Sequence, residues 1–77
     1  MDLPEQIEQR IVAALPGARV TVSTHGGGHF GLDVRSPAFT GKGTLARHRL
    51  VLSAIAGLMG GDGAPVHAID TLVTEPD

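Results

Sequence analysis

The stretch Ala18-Arg19-Val20-Thr21-Val22-Ser23-Thr24-His25-Gly26-Gly27-Gly28-His29-Phe30-Gly31-Leu32-Asp33-Val34-Arg35 decides the fold. Ala18, Val20 and Val22 alternate with Arg19, Thr21 and Ser23; beyond the glycines, Phe30, Leu32 and Val34 alternate with Gly31, Asp33 and Arg35. Successive side chains of a strand point to opposite faces, so each run makes a strand with one buried face. The three consecutive glycines between them admit backbone angles that other residues resist. The reading is an antiparallel hairpin with Thr24-His25-Gly26-Gly27-Gly28-His29-Phe30 as its loop, which leaves His25 and His29 exposed in a flexible segment.

Helical patterns flank the hairpin. Leu3, Ile7, Ile11 and Leu15 recur every fourth residue, while Glu5, Glu8, Gln9 and Arg10 fall on other faces. Asp2 is placed to cap this helix, Pro4 suits its first turn, Glu5 completes a capping box, and Pro16-Gly17 ends it. After the hairpin, Ser36 to Gly43 is a connection in which Phe39 is expected to pack back on the sheet. A second helix is predicted from Thr44, as N-cap, to about Met59, with Leu45, Val51, Leu52, Ile55, Leu58 and Met59 as its apolar stripe. Gly60 to Pro65 stops it, and Val66 to Thr74 forms a last strand. The order is αββαβ. It implies one α+β domain over residues 1–77, a small three-stranded mixed sheet packed against helices.

With 77 residues, 42% of them hydrophobic, the chain can build a modest aliphatic core. It has no cysteine, which excludes disulfides and any thiolate metal site made by this chain alone. Sulfur ligands would have to come from elsewhere. The net charge of −2 supplies no global basic field for nucleic acid. The apolar run from Leu50 to Met59 is far short of the roughly 20 residues of a membrane helix. No cationic-then-apolar signal opens the chain, so the expected compartment is the cytoplasm, with no membrane association.

Several short motifs fail on inspection. The string His25-Gly26-Gly27-Gly28 is that of some lipase oxyanion loops, but no serine here sits in a G-x-S-x-G elbow. Gly41-Lys42-Gly43-Thr44 approaches a phosphate loop, yet the upstream glycine is replaced by Ser36 and Lys42 is followed by glycine. No nucleophile–base pair stands out, and Asp33 and Asp70 read as edge or surface polar residues, so no enzyme is expected. Lys42, Arg47, His48 and Arg49 concentrate positive charge at the front of the second helix. Residues 47 and 49 lie ~200° apart on a helix, so both arginines cannot share one stripe. Among the histidines, His67 begins a strand in an apolar context. If that strand starts beside the hairpin loop, His67 comes near His25 or His29. Two imidazoles alone make an incomplete zinc site, whereas two imidazoles opposite two external thiolates suit a [2Fe–2S] cluster.

The segment Ser36-Pro37-Ala38-Phe39-Thr40-Gly41-Lys42-Gly43-Thr44-Leu45-Ala46-Arg47-His48-Arg49-Leu50-Val51 resembles the S-x-x-F-x-G-K-x-x-L-x-R-H-R-x-V pattern of BolA-like proteins. Val66-His67-Ala68-Ile69 is similar to their [IV]-H-A-[LF], and His29-Phe30 to the start of their second strand. The resemblance covers roughly residues 5 to 74. It implies a fold like a class II KH domain, without a GXXG loop, which Gly41 and Gly43 do not supply.

The resemblance also implies a partner, a monothiol glutaredoxin. In such complexes a [2Fe–2S] cluster is held by the glutaredoxin cysteine, a glutathione thiol and ligands from the BolA-like protein. The family's C-terminal ligand histidine falls on His67. The second ligand, a Cys or His of the loop between the first two strands, falls near His25 or His29; where thiolate members often place it, four residues before the strand phenylalanine, stands Gly26. The expected order of metal ligands is His67, then His25, then His29. The glycines would give the loop histidine the mobility to reach a cluster brought by the partner. Imidazoles must be neutral to ligate, so holding should weaken as pH falls through ~6.5. Imidazole in place of thiolate should raise the cluster's reduction potential. Family members have also been discussed as transcription regulators, which makes DNA an alternative partner, gripped by Lys42, Arg47 and Arg49. Alone, the protein is expected to be a monomer or weak homodimer. The closing Thr74-Glu75-Pro76-Asp77 lacks the Trp-containing tail of many members, so partner contacts there are expected to be missing.

Overall fold

The computed structural model describes all 77 residues. Helix α1 spans Leu3–Ala14, strands β1 and β2 span Arg19–Gly26 and His29–Arg35, helix α2 spans Thr44–Ile55, and strand β3 spans Ala68–Glu75. The order is αββαβ, with short 3₁₀ turns at Pro37–Phe39 and Ala56–Leu58. The sheet order is β1-β2-β3, β1 pairing antiparallel and β3 parallel to β2, which makes the sheet mixed.

Sequence explains the start of α1, the turn at Ser36 and the shared core. The Asp2 carboxylate accepts the Glu5 N–H at 2.9 Å, satisfying one of the orphan donors of the first turn of α1. Ile7, Ile11 and Leu15 are buried and Leu3 packs against the same cluster, so the four-residue repeat marks the core face as expected. Phe39 is fully buried, held by the 3₁₀ turn that Ser36 caps through its hydroxyl to Ala38 N–H. The sheet contributes Phe30, Leu32 and Val34, and α2 contributes Val51 and Ile55, to one eleven-residue core on a single face of the sheet. The opposite face carries no helix.

Helix α2 departs from expectation in three ways. Its N-cap is Gly43, and Thr44 is already helical. The α-helix ends at Ile55, and the chain continues as a 3₁₀ turn through Leu58. Leu45 and Leu52 are outside the core, at 65% and 38% exposure. At 100° per residue they lie roughly 120° and 100° around the helix from Val51, beyond the reach of a face centred on Val51 and Ile55. The residue that does lie near that face is Arg47.

The candidate metal-ligand site at the hairpin end of the sheet

The glycine segment is a tighter structure than a flexible loop. β1 runs through Gly26 and β2 starts at His29, leaving a two-residue turn of Gly27 and Gly28 at φ +63° and +80°. Positive φ at both central residues is what the primed hairpin turn requires, since its twist matches that of the strands. His25 and His29 are therefore strand residues, and the flexible loop expected to carry them is corrected to the ends of two paired strands joined by a two-residue turn.

Two irregularities in that ladder build the site. Thr24 faces Phe30 and Gly26 faces His29, so His25 is an extra residue in β1. Across β2, Phe30 faces Ile69 and Gly31 faces Thr71, so Asp70 is an extra residue in β3. The two bulges flank β2 at the same level. Neighbouring strands lie about 4.8 Å apart, which places β1 and β3 roughly 10 Å from one another with β2 between. His25 bridges that gap by lying over Gly31. A Cβ at position 31 would sit 3.2 Å from both Cε1 and Nε2 of His25, and 2.5 Å from Thr71 Oγ1. Only the absence of a side chain there lets the imidazole reach across the strand.

At the far side the Asp70 carboxylate takes both histidines. His25 Nδ1 lies 3.0 Å from Oδ2 and His29 Nδ1 lies 2.9 Å from Oδ1. Hydrogen bonds from His29, then from His25, hold the Asp70 carboxyl below the usual carboxylate range, so it is ionised at neutral pH. The side chains of His25, His29 and Asp70 are 37%, 46% and 40% exposed to solvent. Asp70 was not expected to have any such role. Its signal in the sequence was weak, because a single aspartate in a strand acquires significance only through the bulge that turns it toward the histidines.

His67 stands just before β3. Its backbone N–H donates to the Gly28 carbonyl at 2.8 Å, so the last strand does start at the hairpin turn. Its ring lies against Gly28, where a Cβ would meet His67 Cγ at 3.1 Å. All three candidate histidines thus stand at one end of the sheet, His29 facing Ala68 in register. They do not form a complete metal site by themselves, for no three His, Asp or Glu side chains are arranged to hold a metal ion. A donor set of imidazoles short of a full shell fits a group whose remaining ligands come from another molecule.

The basic residues of α2 separate. Arg47 donates from Nε to the Thr74 carbonyl and hydroxyl, both at 3.1 Å, and from its terminal nitrogens to the Lys42 carbonyl at 2.6 Å and Thr44 Oγ1 at 3.2 Å. It fastens the start of α2 to β3. Lys42 and Arg49 remain, lining a shallow depression with Ala46, Leu50 and Ser53. No helix is long and apolar enough to cross a membrane.

A small α+β domain of αββαβ order, with its histidines gathered at the hairpin end of a mixed sheet, is the class that fold and site define. The sequence model of the family described as BolA-like protein matches residues 9–77, and the chain belongs to that family. Among solved structures it is similar to a bolA protein homologue from Coxiella burnetii, at 36% identity and TM-score 0.76, over 99% of this chain and 92% of that one. BolA1 from Arabidopsis thaliana shares the fold at TM-score 0.80 and 18% identity, over 99% and 93% of the two chains. The BolA domain of SufE1 from the same plant aligns at TM-score 0.75 and 21% identity, over 99% and 93%. A search of curated protein sequences finds no match.

Proposed function

We propose that this BolA-like protein is a non-enzymatic partner of a monothiol glutaredoxin. It co-ligates a [2Fe–2S] cluster through His67 and one of His25 and His29, in iron–sulfur trafficking or iron sensing. One observation carries the reading: the backbone bond from His67 to Gly28 and the pairing of His29 with Ala68 bring three exposed histidines to one end of the sheet. A chain without cysteine offers imidazole alone, so the thiolates come from the glutaredoxin and from glutathione. The cluster supplies the redox and iron–sulfur chemistry when bound. This chain contributes neutral nitrogen donors at fixed positions, and the uncovered face of its sheet gives the partner access to them.

The nucleic-acid alternative has less support. Arg47 is engaged with Thr74, Lys42 and Thr44, which leaves Lys42 and Arg49 as its remaining cations in a chain of net charge −2.

The test is visible absorption and circular dichroism of this protein mixed with a monothiol glutaredoxin, glutathione, iron and sulfide. The expected spectrum differs from that of the glutaredoxin homodimer and is lost with His67→Ala, a change at an exposed position that should leave stability within about 0.5 kcal/mol. A mixture that gives only the homodimer spectrum refutes the proposal.

A further inference from the structure

We propose that Asp70 is a positioning residue that fixes both His25 and His29 as the Nδ1–H tautomer, leaving Nε2 of each ring as the nitrogen with the free electron pair. The inference deepens the reading above and rests on it for what the nitrogens bind; the tautomers themselves are independent of any partner.

The argument begins with what a carboxylate can do. An ionised carboxylate accepts hydrogen bonds and donates none. Each Asp70 oxygen lies within 3.0 Å of one imidazole nitrogen, Oδ2 with His25 Nδ1 and Oδ1 with His29 Nδ1. Both nitrogens must therefore carry the hydrogen. In a neutral imidazole the other nitrogen then has the lone pair, which makes Nε2 the ligating atom of either ring. In water free imidazole of a histidine side chain favours the opposite tautomer, so holding Nδ1–H in two rings needs a dedicated acceptor. Carboxylates that hold the far nitrogen of a metal-bound histidine orient the ring and raise its basicity. Here a single carboxylate does this for two rings, which requires it to stand between them. The bulge in β3 puts it there, the bulge in β1 sends His25 toward it, and Gly31 leaves the crossing open.

The arrangement also distinguishes Asp70 from an ordinary surface acid. An aspartate paired with one histidine would serve a single ligand position. Asp70 keeps both loop-side candidates in the same ligating state, so either can engage without a proton moving between ring nitrogens. His67, with its ring against Gly28, lies outside this control.

The test is long-range ¹H–¹⁵N correlation NMR of the free protein at about pH 8, where imidazoles are ordinarily neutral. The expected result is the Nδ1–H pattern for His25 and His29. Asp70→Asn offers one acceptor oxygen and one donor NH₂, so one ring should keep its tautomer and the other should revert to Nε2–H. Asp70→Ala should release both. An Nε2–H pattern for either ring in the unmodified protein, or Nδ1–H patterns that persist in Asp70→Ala, overturns the proposal. In the glutaredoxin mixture, Asp70→Ala should weaken retention of the cluster about 10- to 100-fold; retention unchanged while the tautomers revert overturns the claim that they matter for ligation. If the unmodified mixture yields only the homodimer spectrum, the partnership fails, and the tautomer measurement still decides the role of Asp70.

Discussion

Gly31→Ala is the sharpest perturbation available in this protein, because one methyl group addresses the crossing on which the site depends. The new Cβ would lie 2.5 Å from Thr71 Oγ1, closer than real contacts allow, and 3.2 Å from the His25 ring. Gly31 is buried and its φ is not in the left-handed region, so the cost is steric and not conformational. Overpacking of this kind costs about 1–3 kcal/mol, and restricting the unfolded chain by replacing glycine returns about 0.4–1 kcal/mol. The net expectation is a loss of about 1–2 kcal/mol, or a Tm lower by about 5–15 °C in a domain of this size. Urea unfolding should show a lower midpoint with unchanged slope. In the same sample the His25 ring must give by a few tenths of an ångström above Gly31, so its Nδ1–H resonance should shift as the bond to Asp70 is stretched. Adding Thr71→Ala removes the 2.5 Å contact and should restore part of the stability, while the His25 resonance stays shifted. A Gly31→Ala variant as stable as the parent, with the His25 resonance unmoved, would refute the account of the crossing.

Three further outcomes follow from the same geometry. Arg47→Ala should destabilise the fold by about 2–3 kcal/mol, as expected for loss of part-buried charge-assisted bonds to Thr74, and thermal melts will read it; a drop under 0.5 kcal/mol would mean that Arg47 does not fasten α2. Gly28→Ala forces a side chain to φ +80° and sets its Cβ 3.1 Å from both the Pro65 carbonyl and His67 Cγ, so it should cost at least 1–2 kcal/mol by the left-handed penalty, roughly, and shift the His67 resonances; unchanged His67 shifts would contradict the placement of its ring. Asp70 titrates below its ordinary range when folded, so the folded state binds fewer protons than the unfolded chain; the stability this contributes is full above about pH 4 and is lost as pH falls through the folded value. Asp70→Asn should accordingly lose less stability than the parent between about pH 5 and pH 2, and parallel acid limbs in the two proteins would exclude the coupling.

Much of the fold was legible because it depends on periodicity. The four-residue repeat of α1 and the alternation of Val20, Val22, Phe30, Leu32 and Val34 are averages over many residues, and single exceptions do not disturb them. The approach of His67 to the hairpin stayed conditional in the sequence, on the last strand starting beside the hairpin loop; the bond from its N–H to the Gly28 carbonyl meets that condition. What escaped depends on one residue at a time. A bulge adds a single residue to one strand, and in β3 it leaves a run that still reads as β-prone from Val66 to Thr74. Asp70 therefore looked like any surface acid. Gly31 fell in the polar positions of an alternating strand, where its missing side chain resembled nothing more than a weak strand former. Leu45 and Leu52 misled in the opposite sense: apolar character widened the stripe of α2, although only Val51 and Ile55 lie at its centre and are buried within the helix. The basic cluster likewise could not reveal that Arg47 turns inward to Thr74, since the acceptors belong to a strand 27 residues later.

The positions of the two bulges have a physical logic of their own. β1 and β3 are the edges of a three-stranded sheet, and each extra residue interrupts only the one ladder its strand shares with β2. A bulge in β2 would have disturbed two ladders at once and shifted Phe30, Leu32 or Val34 out of the core, since a one-residue slip sends every side chain to the opposite face. Keeping β2 regular preserves the packed face, while the irregular edges re-aim polar side chains on the uncovered one, the use to which bulges near functional sites are put. The central strand then has one contribution left to make on that face, which is to present no side chain where the edges must meet. Gly31 fills that role between His29 and Asp33. The core and the site thus occupy opposite faces of the same strand, and the residue through which a change in one is felt by the other is the glycine between them.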